Sequence, residues 1–174
     1  ALFSVLFAAF AAGADFPNGG FESGSTSGWT VYNPGGHADS WGATSEPGDV
    51  YSGSHAGALT AFDGGAEDLY IAYTSQSVTG ASAGTLYRVR CAIKTENLEL
   101  VDPSLGLRPI IVVRGAGGVV TTYSYHNGDF GGTNDYTAVE SLLYLPPDSL
   151  SVEFQLVLNS GIASGAAYVD GVSI

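Results

Sequence analysis

The chain has 174 residues, a formal charge of −12 and five basic residues, with 25 Gly, 10 Tyr, no Met and only 13% charged side chains. That length fits one domain with a sizeable core, and the Gly- and Tyr-rich composition suits a sandwich of strands and turns rather than a helical bundle. The charge excludes a phosphate-binding footprint, so nucleic acid is not an expected partner, and an acidic membrane surface is ruled out on the same ground.

Residues 1–14 carry no charge. The run is too short for a membrane span, which needs about 20 apolar residues as a helix. It has the length of a signal-peptide core, with Ala12-Gly13-Ala14 as a cleavage site before Asp15. The sharper alternative is an apolar arm that buries itself in a neighbouring copy. As a strand it sets Leu2, Leu6 and Phe10 on one face and Phe3, Val5 and Phe7 on the other. Twelve such residues reach about 40 Å. Burying five or six of them is worth about 10 kcal/mol before ordering costs. Donor-strand addition of this kind is head-to-tail and builds a homopolymer filament. Residues 15–174 then form the folded domain.

Residues 15–30 are dense in turn formers; within them Asn18-Gly19-Gly20-Phe21-Glu22 reads as the first strand of the domain, as the chain's last residues read as its last, and Gly28-Trp29 follows. Residues 31–54 read as a polar region holding Trp41. The stretch Ser52 to Thr60 runs Ser-Gly-Ser-His-Ala-Gly-Ala-Leu-Thr into a strand. Thr85 to Lys94 is the clearest strand, with Tyr87, Val89, Cys91 and Ile93 on one face and Arg88, Arg90 and Lys94 on the other. The basic face is expected to pair with acidic side chains on neighbouring strands, and Cys91 reads as a core residue. Further strands are expected over 106–114 and 118–126, joined by a Gly115–Gly118 hairpin turn, and over 137–145 and 150–158. The terminal strand ends Val169-Asp170-Gly171-Val172 and changes phase, which predicts a bulge near Gly171. About ten short strands with no helical period predict an all-β antiparallel β-sandwich.

The motifs Asn-Gly-Gly-Phe-Glu, Gly28-Trp29, Ser52-Gly53-x-x-Ala56-Gly57 and Val169-Asp170-x-Val172 resemble those of the jelly-roll carbohydrate-binding modules attached to secreted glycanases. The resemblance covers about residues 18–174 and leaves out residues 1–14. It implies a jelly roll whose two ends meet at a structural Ca²⁺. The matching positions are Glu22 and Asp170, with backbone oxygens near Ser54 or His55, and hard oxygen donors suit that ion.

Chemistry beyond binding is hard to build from these residues. Gly80-Ala81-Ser82-Ala83-Gly84 has the spacing of a nucleophile elbow, but a strand follows it where that motif needs a helix. His37, His55 and His126 lack the spacing of a zinc pair. No carboxylate pair stands out for glycoside hydrolysis, so no enzyme is expected. Sugar binding needs exposed aromatic faces, for which Trp41, Tyr123 and Tyr125 are the candidates. Two functions follow: an extracellular or cell-surface subunit polymerising through its arm, or a secreted non-catalytic module that binds polysaccharide.

Overall fold

A computed structural model describes residues 15–33, 39–62, 71–75, 77–78, 81–100, 107–124, 130–158 and 162–174. Among these residues there are ten strands and one 3-10 turn (Pro47–Asp49). The strands are β1 (Trp29–Tyr32), β2 (Asp39–Thr44), β3 (Ala56–Phe62), β4 (Ile71–Ser75), β5 (Leu86–Leu100), β6 (Leu107–Gly115), β7 (Gly118–Ser124), β8 (Gly132–Tyr144), β9 (Ser149–Leu158) and β10 (Ile162–Ser173). They form two five-stranded sheets, β1-β4-β9-β6-β7 and β2-β3-β10-β5-β8. Every pairing is antiparallel. The architecture is the expected β-sandwich.

Period-2 alternation decides which side chains face the interior. In β5, Tyr87, Val89, Cys91 and Ile93 are buried in the core, while Arg88 and Arg90 are exposed. In β9, Val152, Phe154, Leu156 and Leu158 do the same for the opposite sheet. β5 runs on to Leu100 because register shifts after Ile93 and Thr95, with Asn97 at φ 47°, return Leu98 to the core. A simple alternation ends at Lys94, which is why the sequence pattern stops there. The hairpin closes as expected, with Gly115 opposite Gly118. The terminal strand carries its bulge between Asp170 and Ser173, with Gly171 at φ 59°.

The opening segment differs from expectation. Residues 17–28 form turns, and the first strand begins at Trp29. Asn18 and Phe21 sit at φ 53° and 56°, left-handed angles outside the extended region. The Asn18 amide holds this loop by donating to the carbonyls of Ser25 and Ser27, both at 2.8 Å. The loop is sewn to β10 where Val172 N–H donates to Gly19 O at 3.0 Å. A side chain at Gly19 would run into the Val172 carbonyl, so only glycine fits there. Phe21 enters the core, stacked on Trp29 at 5.0 Å and edge-on to Trp41 at 5.6 Å. Trp29 and Phe16 each reach Phe154, so this aromatic group ties the opening turn to the centre of β9.

Candidate functional site

Glu22 and Asp170 meet at the 51–55 turn and grip it from two sides. Asp170 Oδ2 accepts the backbone N–H groups of Tyr51 (3.1 Å) and Ser52 (2.8 Å), and Oδ1 accepts that of Gly171 (2.6 Å). Glu22 accepts the N–H of Ser54 at 3.1 Å, the Ser54 hydroxyl at 2.8 Å and the N–H of His55 at 3.3 Å. Gly53, at φ 72°, makes the second grip possible: a Cβ there would collide with the Glu22 carboxylate. Ser54 Oγ lies 2.9 Å from His55 Nδ1. That pair is no nucleophile and base, because the hydroxyl proton is committed to Glu22 and Nδ1 must be the donor.

The electrostatics differ between the two acids. Glu22 is exposed, and the hydroxyl and amide of Ser54 hold its carboxyl below the usual range. Asp170 is fully buried, and burial pushes its carboxyl up against three amide donors that pull it down. The nearby Glu22 charge pushes it up further. Neither acid joins an ion pair with Lys or Arg among the described residues. A buried carboxylate beside a second one, without a basic partner, is a costly arrangement that a cation relieves. Gly20 lies beside both, since a Cβ there would be in ordinary contact with Asp170 Oδ1 and Glu22 Cγ at 3.7 Å. Carboxylate oxygens are the donor type that suits a hard ion such as Ca²⁺. The described residues contain no group of three His, Cys, Asp or Glu that could hold a metal, so further donors would be backbone carbonyls and hydroxyls.

The second feature is the outer face of the β1-β4-β9-β6-β7 sheet. Side chains pointing away from a sandwich core are expected to meet solvent. On β9, however, Glu153, Gln155 and Val157 point outward and are 9%, 8% and 3% exposed. Val112 on β6 is equally buried, and neither valine belongs to the central core cluster. The middle of this face is therefore shielded from solvent. Register sets two rows across it: Thr30, Thr74, Gln155 and Ile110, then Tyr32, Val157 and Arg108. Glu153 Oε1 accepts from Arg114 Nε at 2.7 Å and from the Ser77 hydroxyl at 2.9 Å. Tyr32 at the β1 end is 58% exposed. Sequence reasoning missed this face, although its signal was present in the polar Glu153 and Gln155 of an otherwise apolar strand.

Other expected residues fall in various places. Trp41 is not in a polar loop. It lies on β2 with its ring 4.7 Å from that of Tyr73 and 5.7 Å from that of Trp29, packed against the core. Tyr123 occupies a β7 backbone position opposite Ile111, and its side chain, like the whole of Tyr125, lies outside the described residues. Leu2, Phe3, Val5, Leu6, Phe7 and Phe10 lie outside them too, as do His37 and His126. On the basic face of β5, Arg88 and Arg90 meet Glu140 of the neighbouring β8 as expected, whereas Lys94 meets Asp49 of the 3-10 turn and Glu96 of its own strand. Ser82 sits in an exposed turn, its N–H donated to the Tyr87 hydroxyl.

No family model matches the sequence, and no curated protein does. Solved structures do share the fold. The carbohydrate-binding module TmCBM61, solved in complex with β-1,4-galactotriose, superposes with a TM-score of 0.60 at 16% identity, over 90% of this chain and 93% of that one. The CBM22-1 xylan-binding domain of Xyn10C from Paenibacillus barcinonensis gives 0.57 at 18%, over 95% and 96%. The enzymatically active domain of tailspike protein 4 from bacteriophage CBA120 gives 0.67 at 14%, where 90% of this chain spans only 20% of that one. The chain thus has the β-sandwich of the carbohydrate-binding modules, a scaffold that also occurs within an enzymatically active domain. Among the described residues, no helix is long and apolar enough to cross a membrane. None of these likenesses bears on self-assembly through residues 1–14.

Proposed function

We propose that this chain is a non-catalytic carbohydrate-binding module of an extracellular protein, with polysaccharide held on the outer face of the β1-β4-β9-β6-β7 sheet. The observation that carries it is the burial of outward-facing Gln155 and Glu153 at the centre of that face. Sugar hydroxyls are well solvated in water. A site must offer them paired donors and acceptors in a place partly shielded from solvent. The Gln155 amide and the Glu153 and Arg114 groups bring planar hydrogen-bonding edges to this face, with the half-buried Ile110 beside Gln155. Tyr32 adds an exposed ring at one end. A fold shared with xylan- and galactotriose-associated modules is consistent with this use.

Calcium belongs to the same proposal as a structural ion. Bound between Glu22 and Asp170, it would supply the positive charge that the buried Asp170 and the exposed Glu22 lack. These residues would then hold the opening turn, the 51–55 turn and β10 together. The chemistry is positioning only, since the carboxylates already accept the turn's amides.

Titration calorimetry against a panel of neutral polysaccharides tests the function. Gln155→Ala is expected to weaken binding at least tenfold, equivalent to about 1.4 kcal/mol. Absence of affinity for every glycan would end the proposal. Unchanged affinity in Gln155→Ala would remove the face from it.

A further inference from the structure

Beside the carboxylate grip lies an open groove of about 540 Å³, framed by Ser45, Pro47, Val50, Tyr51, Ser54 and His55. Its size falls within the range of about 300–1,000 Å³ usual for small-molecule sites. We infer that this groove is a second saccharide subsite, separate from the sheet face, which takes a neutral sugar ring against Tyr51. The inference rests on the carbohydrate proposal above and extends it to a different part of the molecule.

The chemistry of the lining selects the ligand class. Tyr51 is 52% exposed and offers an aromatic surface. Ser45, Ser52 and Ser54 bring hydroxyls, and His55 brings an imidazole. No carboxylate and no Lys or Arg lines the groove, but Glu22, Asp49 and Asp170 stand just behind its wall. Their field, in a chain of net charge −12, turns anionic ligands away. A wholly apolar ligand would strip water from the serines and return no hydrogen bond. A neutral, polyhydroxylated ring with one apolar face satisfies both conditions.

The groove is also held in shape before any ligand arrives. Lys94 Nζ donates to Gly48 O at 2.7 Å and meets Asp49 Oδ1 at 3.0 Å. The Tyr136 hydroxyl donates to Asp49 O at 2.7 Å, and the Tyr136 ring backs that of Tyr51 at 5.2 Å. Asp170 fixes residues 51 and 52, and Glu22 fixes 54 and 55. Four anchors along eight residues leave little ordering cost for a ligand to meet.

The test is an amide-resolved NMR titration of the full chain with β-1,4-galactotriose, xylotriose and cellotriose. For at least one sugar, the amides of residues 51–55 are expected to shift, and to do so equally in Gln155→Ala. In Tyr51→Ala that affinity is expected to fall at least tenfold, with an unchanged melting temperature showing the fold intact. Shifts confined to β9 and its neighbours would overturn the groove and leave the sheet face standing. Shifts confined to residues 51–55 would uphold the groove and remove the face. No shift with any sugar would overturn both.

Discussion

Replacing Asp170 by Asn keeps the shape of a side chain that is fully buried and changes only its chemistry. The carboxylate accepts three backbone N–H groups, two on one oxygen and one on the other. An amide has a single oxygen. In its better orientation that oxygen keeps Tyr51 and Ser52, and the new NH₂ faces the Gly171 N–H. One buried donor is then left unsatisfied, a cost of about 1–3 kcal/mol. For a domain of this size each kcal/mol moves the melting temperature by about 2–4 °C. A loss of about 2 kcal/mol thus reads as about 4–8 °C by calorimetry. The same substitution removes one of the two charges offered to a cation. In the wild type, Ca²⁺ at a hundred times its dissociation constant adds about 2.7 kcal/mol, and Asp170→Asn abolishes that rise. The pH dependence has a definite sign. Asp170 has a raised carboxyl, so without metal its ionisation costs stability as pH climbs from the unfolded value of about 3.9 through the folded one. Glu22 has a lowered carboxyl, so its contribution is present above the unfolded value and lost as pH falls. In EDTA, Asp170→Asn is therefore expected to gain stability with pH more steeply than the wild type across the carboxylate range. A wild type unmoved by Ca²⁺ and EDTA would refute the ion. A variant within 0.5 kcal/mol of wild type would refute the grip itself.

Gly53→Ala meets both a left-handed backbone angle and the Glu22 carboxylate. It is expected to destabilise by more than the roughly 1–2 kcal/mol of the backbone alone, and to loosen amide-exchange protection at Ser54 and His55. Equal protection would show that Glu22 does not depend on that glycine. Trp41→Ala removes a ring packed among Phe21, Trp29 and Tyr73. Its expected cost is about 3–5 kcal/mol in denaturant unfolding, with glycan affinity unchanged in the folded fraction. A large affinity loss at near-normal stability would return Trp41 to the binding surface.

The sandwich was legible where alternation was unbroken. Tyr87 to Ile93 and Val152 to Leu158 announce their faces without help, as do the hairpin at Gly115–Gly118 and the bulge at Gly171. Legibility failed where local geometry breaks the period. Asn97 at φ 47° hides the second half of β5, and Asn18 and Phe21 make turns of a segment that resembles a first strand. Trp41 shows a different limit. It sits between Ser40 and Gly42 in a polar stretch, yet one side of a short strand suffices to pack a half-buried ring against Phe21 and Tyr73. The pairing of Glu22 with Asp170 was readable only through motif resemblance, because no periodicity joins residues 148 positions apart. For the shielded face the only signal was the polar Glu153 and Gln155 of β9: whether an outward Gln is wet or dry depends on the sheet around it, which single-strand patterns do not encode.

Both candidate binding regions depend on groups that a stability argument alone would disfavour. Gln155 and Glu153 are polar and nearly dry, and Asp170 is acidic and fully buried. A sandwich with this aromatic core gains nothing in burial from placing them there. Their satisfied partners, Arg114 and Ser77 for Glu153 and three amides for Asp170, show that the sites are built rather than tolerated. The two regions also lie on opposite sheets, one on the outer face of the sheet centred on β9 and the other above β10 and β5. Occupied together, they would let one small domain hold two glycan segments on opposite sides. Linked sites raise apparent affinity for a polymer well beyond that for a short sugar. A polysaccharide bound far more tightly than its trisaccharide, with the excess removed by either Tyr51→Ala or Gln155→Ala, is the signature this arrangement demands.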